Sequence, residues 1–137
     1  MLENIRLSKT ASDQLSRLKR LTGISQWNII CRWAFCLSLA EAGPPRNLPI
    51  PTDGSVEMTW RTFAGHNDAA FRLLLRQRCR LEGIPLSDRD LALQFRLHLH
   101  RGIGYLAGDP SVKSIEGFVS LARSREDRAH HAESPTT

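Results

Sequence analysis

Residues 4–41 carry a succession of local signals that leaves little choice in how this stretch folds. Ile5 and Leu7 alternate with Asn4 and Arg6, the two-residue period of a short two-faced strand. Ser8 or Thr10 can cap the helix that follows, which runs to about Leu21. Ala11, Leu15, Leu18 and Thr22 recur at helical spacing and make its core stripe. Lys9, Asp13, Arg17 and Arg20 fall on the other side, with Lys19 near that face. Gly23 stands where a helix C-terminus takes a left-handed residue. Ser25 then suits the N-cap of a second helix, roughly Gln26 to Glu41, and would leave its first N–H groups free for an anion. That helix is apolar nearly all round: Trp27, Ile29, Ile30, Cys31, Trp33, Ala34, Phe35, Leu37 and Leu39. Such a helix must be buried on several sides, and an oligomer interface does this more easily than a monomer of 137 residues.

A strand this short is not stable alone, so it makes sense paired with the same strand of a second copy. Strand, helix, tight turn and helix in this order are the layout of a ribbon-helix-helix unit, whose two-stranded ribbon enters the major groove. Asn4 and Arg6 would point at base edges, where Arg reads guanine and Asn reads adenine. The helix start at Ser25 would hold a backbone phosphate. The plainer alternative is a helical hairpin with no part in DNA binding.

Beyond this unit the chain breaks at residues 43–56, rich in Pro and Gly. Asp53-Gly54 is a hairpin-turn pair, and the flanking prolines suit only edge strands. The segment reads as a loop, with room for a small hairpin ending near Trp60. A third helix starts near Asn67 or Asp68 and ends at Gly83. Phe71, Leu74, Leu75 and Cys79 face its core. Arg72, Arg76 and Arg80 form a separate stripe with Arg78 beside it, either a solvated face or a surface for phosphate or a partner. Ser87 and Asp90 make a capping pair for a further helix carrying Leu91, Leu93, Phe95, Leu97 and Leu99. The alternation from Gln94 to His100 would also suit a strand, but length and cap favour the helix. Gly102, Gly104 and Gly108 loosen the chain afterwards. Asp109-Pro110 opens a last helix to about Ala122, and residues 123–137 read as a disordered tail. The fold class is therefore mainly α and oligomeric, with a single helical DNA-binding domain over residues 1–122. Within it lie the ribbon-helix-helix-like unit at about 4–41, the loop at 43–56 and a helical region at 61–122.

Composition excludes more than it assigns. The net charge is +5, and 16 of the 19 basic residues are Arg. This favours a polyanionic partner and bidentate phosphate contacts, although Arg-rich coding alone would produce it. Basic residues outnumber acidic ones six to three over residues 1–42 and eight to four over 61–101, but fall behind, four to five, over 102–137, so the DNA-facing surface belongs to the first hundred residues. Cys31, Cys36 and Cys79 are an odd set without a C-x-x-C pair, which argues against disulfides and against a zinc or iron–sulfur site; buried structural thiols are expected. His98 and His100 lie two apart, about 200° on a helix, so they cannot share a metal there. His130 and His131 fall in the tail. Asp88 and Asp90 are explained by a helix N-terminus. No serine elbow, phosphate loop or H-E-x-x-H pattern occurs, so an enzyme is the least favoured class and no cofactor is expected. With no signal peptide and no membrane-length apolar run, the expected location is the cytoplasm.

The chain also resembles the DndE family, small subunits of the bacterial DNA phosphorothioation (DNA sulfur modification) machinery. The segments that carry the resemblance are Ile5-Arg6-Leu7-Ser8-Lys9-Thr10-Ala11, Arg20-Leu21-Thr22-Gly23-Ile24 and Leu73-Leu74-Leu75-Arg76-Gln77-Arg78-Cys79. The most characteristic runs from Gln94-Phe95-Arg96-Leu97-His98-Leu99-His100-Arg101 to Gly102-Ile103-Gly104-Tyr105-Leu106. The match covers roughly residues 2 to 118. It implies a multiprotein complex that replaces a non-bridging phosphate oxygen of DNA with sulfur. It implies partners as well: a pyridoxal-dependent cysteine desulfurase as sulfur source, an iron–sulfur sulfurtransferase-like subunit and an ATPase-like subunit, with a restriction system reading the product. For this chain it implies a homotetramer with a ribbon-helix-helix-like core that binds double-stranded DNA and prefers nicks.

Three functions follow as expectations. The first is a non-enzymatic DNA-binding and assembly subunit of the phosphorothioation complex. Here Lys9, Arg17, Lys19 and Arg20 hold phosphates without reading bases, while Arg6 and Ser25 complete the DNA-binding set. The second is a ribbon-helix-helix repressor with a palindromic operator. The third is a protein scaffold whose basic stripes meet an acidic partner surface.

Overall fold

The computed structural model describes residues 4–109 together with 112, 115–117, 119–121 and 123. Strand β1 (Asn4–Arg6) leads into α1 (Lys9–Thr22) and α2 (Trp27–Ala40). A long loop ends in β2 (Glu57–Thr59), followed directly by the short α3 (Trp60–Ala64) and a 3-10 turn (Gly65–Asn67). Helices α4 (Asp68–Leu81) and α5 (Asp88–Gly108) complete the described elements.

Helix α1 forms where local chemistry asks for it. The Ser8 hydroxyl accepts the Ala11 N–H as N-cap, and Gly23 closes the helix at φ 75°. Ala11, Leu15, Leu18 and Thr22 are buried, and Thr22 returns its hydroxyl to the Leu18 carbonyl. At α2 the boundary differs from the expectation: the cap position is Gln26, which makes no side-chain cap bond, and Ser25 lies one residue outside it. The monomer buries one wide face of α2 (Ile30, Cys31, Ala34, Phe35, Leu37 and Ser38) and leaves Trp33 36% exposed.

The strand expectation is corrected as well. β1 pairs antiparallel with β2 of the same chain, with Asn4 opposite Thr59, Ile5 opposite Met58 and Arg6 opposite Glu57. Ile5 and Met58 turn into the core while their neighbours face out. Asp53-Gly54 makes no hairpin. Gly54 instead presses against the start of α1, donating its N–H to the Leu7 carbonyl at 3.0 Å. A Cβ there would sit 2.2 Å from Ser12 Oγ and 2.5 Å from the Leu7 carbonyl oxygen. Asp53 accepts the Lys9 backbone N–H at 2.9 Å. The loop is thus stapled onto α1, which brings β2 alongside β1.

The centre is aromatic. Phe63 and Phe95 meet edge-on with centroids 4.8 Å apart, and Phe35, Trp60 and Phe71 pack around them. Offset and edge-on ring contacts of this kind add about 1 kcal/mol each beyond burial. Helix α5 forms the spine. Ser87 caps it, accepting the Asp90 N–H and donating to the Asp90 carboxylate. It runs unbroken for 21 residues through Gly102 and Gly104, which do not loosen the chain as expected but lie inside the helix. Of the expected last helix, Ile115, Glu116, Gly117, Val119, Ser120 and Leu121 are helical, and so is Arg123, which was expected to begin the tail. Its expected Pro110 start and the expected tail beyond Arg123 lie outside the described residues.

Candidate nucleic-acid interface

The basic residues singled out in the sequence sort into three structural groups. On α1, Lys9, Arg17 and Arg20 are exposed on the side away from the core stripe. Eleven residues separate Lys9 from Arg20, roughly 16 Å along the axis at a rise of ~1.5 Å per residue. Arg20 makes no ion pair among the described residues. Arg17 Nη1 reaches only a marginal 3.5 Å contact with the Ala107 carbonyl at the end of α5. Lys19 is set apart from this face. Its ammonium lies 4.5 Å from the centre of the Trp27 ring, a cation–π contact that ties α1 to the start of α2.

The second group is the strand. Arg6 is bound to Glu57 at 2.7 Å across the β1–β2 ladder and donates to the Gly54 carbonyl at 3.3 Å. Its charge is answered within the chain, and its guanidinium holds the strand pair together. The structure therefore does not bring Arg6 to the α1 face, and Asn4 lies exposed on the same short strand.

The third group surrounds the turn between α1 and α2. Lys19 and Arg20 occupy the last turn of α1, where cations stabilise the helix dipole. Gly23, Ser25 and Gln26 are exposed at the start of α2, a helix with no acidic residue in its first turn. Ser25 is thus beside a helix N-terminus but does not cap it.

Other basic residues serve the fold, which sequence spacing did not separate from the rest. Arg78 donates to the carbonyls of Leu39, Glu41 and Gly43 at 2.7, 2.6 and 2.9 Å and pairs with Glu82. Arg101 donates to the Ser38 hydroxyl and carbonyl and to the Gly43 carbonyl. Helix α2 has no basic residue in its own last turn, so these two guanidiniums, from α4 and α5, satisfy its end. Arg32 does the same for α3, donating to the Phe63 and Thr62 carbonyls.

The two histidines of α5 are structural. His100 Nε2 accepts the Ser8 N–H at 3.2 Å, which puts the ring proton on Nδ1, directed at the Arg96 carbonyl 2.8 Å away. His98 is buried, with Nδ1 2.8 Å from Ser38 Oγ and no partner for Nε2 among the described residues. Burial, with the nearby Arg101 and Arg78 charges, pushes its pKa down to about 4. Among the described residues no three His, Cys, Asp or Glu side chains gather as a metal site. The three cysteines are free. Burial lifts Cys31 to about 12, and Cys79 is buried too, but Cys36 is exposed, against the expectation of three buried thiols. Among the described residues no helix is long and apolar enough to cross a membrane.

Known proteins give this arrangement a context. Residues 4–114 match the family profile described as DNA sulphur modification protein DndE. The crystal structure of DndE from Escherichia coli B7A, involved in DNA phosphorothioation modification, superposes with a TM-score of 0.65 at 28% identity, over 77% of this chain and 98% of that one. The crystal structure of a glycine-to-lysine mutant of DndE involved in DNA phosphorothioation gives a TM-score of 0.61 at 27% identity, over 80% of this chain and 100% of that one. No curated protein sequence matches the chain. With most of its length inside the family profile and the same fold as these structures, the chain belongs to the DndE family of DNA sulphur modification proteins.

Proposed function

We propose that this chain is a non-enzymatic DNA-binding and assembly subunit of the phosphorothioation complex. It holds duplex DNA, and a nicked duplex in preference, while sulfurtransferase-like and ATPase-like partners perform the chemistry. The observation that carries this reading is the exposed α1 face, where Lys9, Arg17 and Arg20 point outward. Their span of roughly 16 Å covers about five nucleotide steps of one strand. These are phosphate contacts, which position a duplex without reading its sequence. Ser25 and the uncapped start of α2 extend the surface past the α1–α2 turn, and Lys19 braces that turn through Trp27. Self-association as a homotetramer would gather four such faces, and the exposed edge of Trp33 on the apolar α2 offers a place for it.

A sequence-reading repressor is less well supported. Its reading residue Arg6 would have to leave Glu57, and β1 already has a ladder partner within the chain. The test is titration of the purified protein with a labelled duplex, intact and with a single nick, of unrelated sequences. The proposal expects binding to every sequence and tighter binding to the nick. Binding to a single palindromic sequence, or to none, would refute it.

A further inference from the structure

Helix α4 presents an outward face that neither the fold nor the α1 surface uses. Its inward side is Phe71, Leu75 and Cys79. On the outside, Leu73 is 67% exposed, Leu74 46% and Leu81 75%. On the helical period these three fall within an arc of roughly 100°, and Arg76 and Arg80 flank it on one side. The carboxylate of α4, Asp68, is already bound by Arg72 and by the Trp60 indole N–H, and that of its C-cap residue Glu82 by Arg78. Arg76 and Arg80 are exposed and make no ion pair among the described residues.

Three exposed leucines beside two uncompensated guanidiniums select among occupants. A duplex would use the arginines but not the leucines, since protein–DNA interfaces are polar and cationic. A second copy packed about a two-fold axis would bring Arg76 and Arg80 toward their own mates, with no carboxylate on the face to answer them. A protein segment with apolar side chains flanked by carboxylates meets both demands, because interface centres combine apolar burial with arginine.

We infer that the outward face of α4 is the docking surface for a companion protein of the modification assembly, engaged through an acidic, apolar segment of that protein. This rests on the assembly role proposed above and gives that role a location. It also separates the molecule into two working faces, α1 for the nucleic acid and α4 for the partner.

The full-length chain is mixed with the purified sulfurtransferase-like and ATPase-like subunits of the same bacterium, singly and together. Complex formation is followed by size-exclusion chromatography and interferometry. Arg76→Glu with Arg80→Glu is expected to weaken the complex by about tenfold or more, as is Leu73→Asp with Leu81→Asp. Arg76→Lys with Arg80→Lys should restore part of the charge-dependent share, and all three variants should bind duplex DNA as the parent does. Wild-type complexes matched by both disruptive variants would overturn the location while leaving the assembly role standing. A wild type that binds neither subunit would overturn the assembly role and the location together. Parallel loss of duplex binding in the glutamate variant would give the face to DNA. Capture of the wild type, but not the aspartate variant, by phosphatidylglycerol vesicles would give it to a membrane surface. Either result overturns the inference.

Discussion

Gly102 and Ala34 meet where α5 crosses α2, so closely that a methyl group on Gly102 would lie 1.7 Å from the Ala34 carbonyl oxygen. Backbone cannot yield there as a flexible side chain could. Gly102→Ala is therefore expected to destabilise the protein by about 3 kcal/mol. Gly104, two residues on in the same helix, meets open space, so Gly104→Ala should stabilise by roughly 0.5–1 kcal/mol. Urea denaturation of the pair separates the crossing from helix propensity. Equal effects at the two positions would contradict the close approach.

The start and end of α1 and the start of α5 were legible because caps are local, whereas the start of α2 and the end of α5 were not. Ser8, Gly23 and Ser87 announce their roles within three or four residues, and the Ala11, Leu15, Leu18 stripe is buried as spaced. What was hidden depends on distant contacts. Gly102 reads as a loop-former until Ala34 is known to lie against it. The partner of β1 lies some fifty residues away, and two residues of alternation cannot say whether a ladder forms within a chain or between copies. Gly54 reads as a turn glycine but is required by its approach to Ser12. The same limit holds for the candidate site. Arg76 and Arg78 are chemically alike and neighbours in sequence, yet Arg78 closes α2 and Arg76 faces solvent.

The Arg78 clamp gives a second prediction. Its guanidinium bonds three carbonyls and Glu82, a pair whose side chains are only 11% and 13% exposed. Arg78→Ala removes all of these bonds, of which only the Gly43 carbonyl keeps a second guanidinium donor, from Arg101, and should cost about 2–4 kcal/mol. Arg78→Lys should recover less than half of that, because an ammonium cannot span the same fork. Thermal melts of the two variants check the order; a lysine variant as stable as the parent would contradict the geometry.

Acid sensitivity gives a third. Burial and the Arg101 and Arg78 charges hold His98 near 4, below its ordinary 6.5. His100 is lowered in the same direction by burial, an effect its bond to the Arg96 carbonyl opposes and the Arg96 charge reinforces. Both rings take up a proton less readily in the fold than in the unfolded chain, so below 6.5 the unfolded chain binds more protons, and for His98 this holds down to about 4. The stability is fully present above 6.5 and is lost as pH falls from there toward 4. The slope is at most about 1.4 kcal/mol per pH unit for each ring. Urea midpoints at pH 7.5 and pH 5 should differ, and His98→Gln should reduce the difference. Identical midpoints in the parent would contradict buried, neutral rings.

Arg6 and the α1 face make opposite predictions for DNA. Because Arg6 is committed to Glu57, Arg6→Ala should change duplex affinity less than twofold, an exposed pair contributing about 0–1 kcal/mol to the fold. A loss confined to particular sequences would instead return β1 to base reading.

The most direct test of the α1 face is the salt dependence of duplex binding, compared between the parent and Lys9→Ala/Arg17→Ala/Lys19→Ala/Arg20→Ala. Removing one basic side chain from a phosphate should flatten the slope of log Kd against log salt by roughly 0.9 on duplex DNA. In the fourfold variant binding should weaken at every sequence and the slope should become shallower by about three or more. A folded variant with the parent's affinity and slope would contradict this and move the nucleic-acid surface off α1.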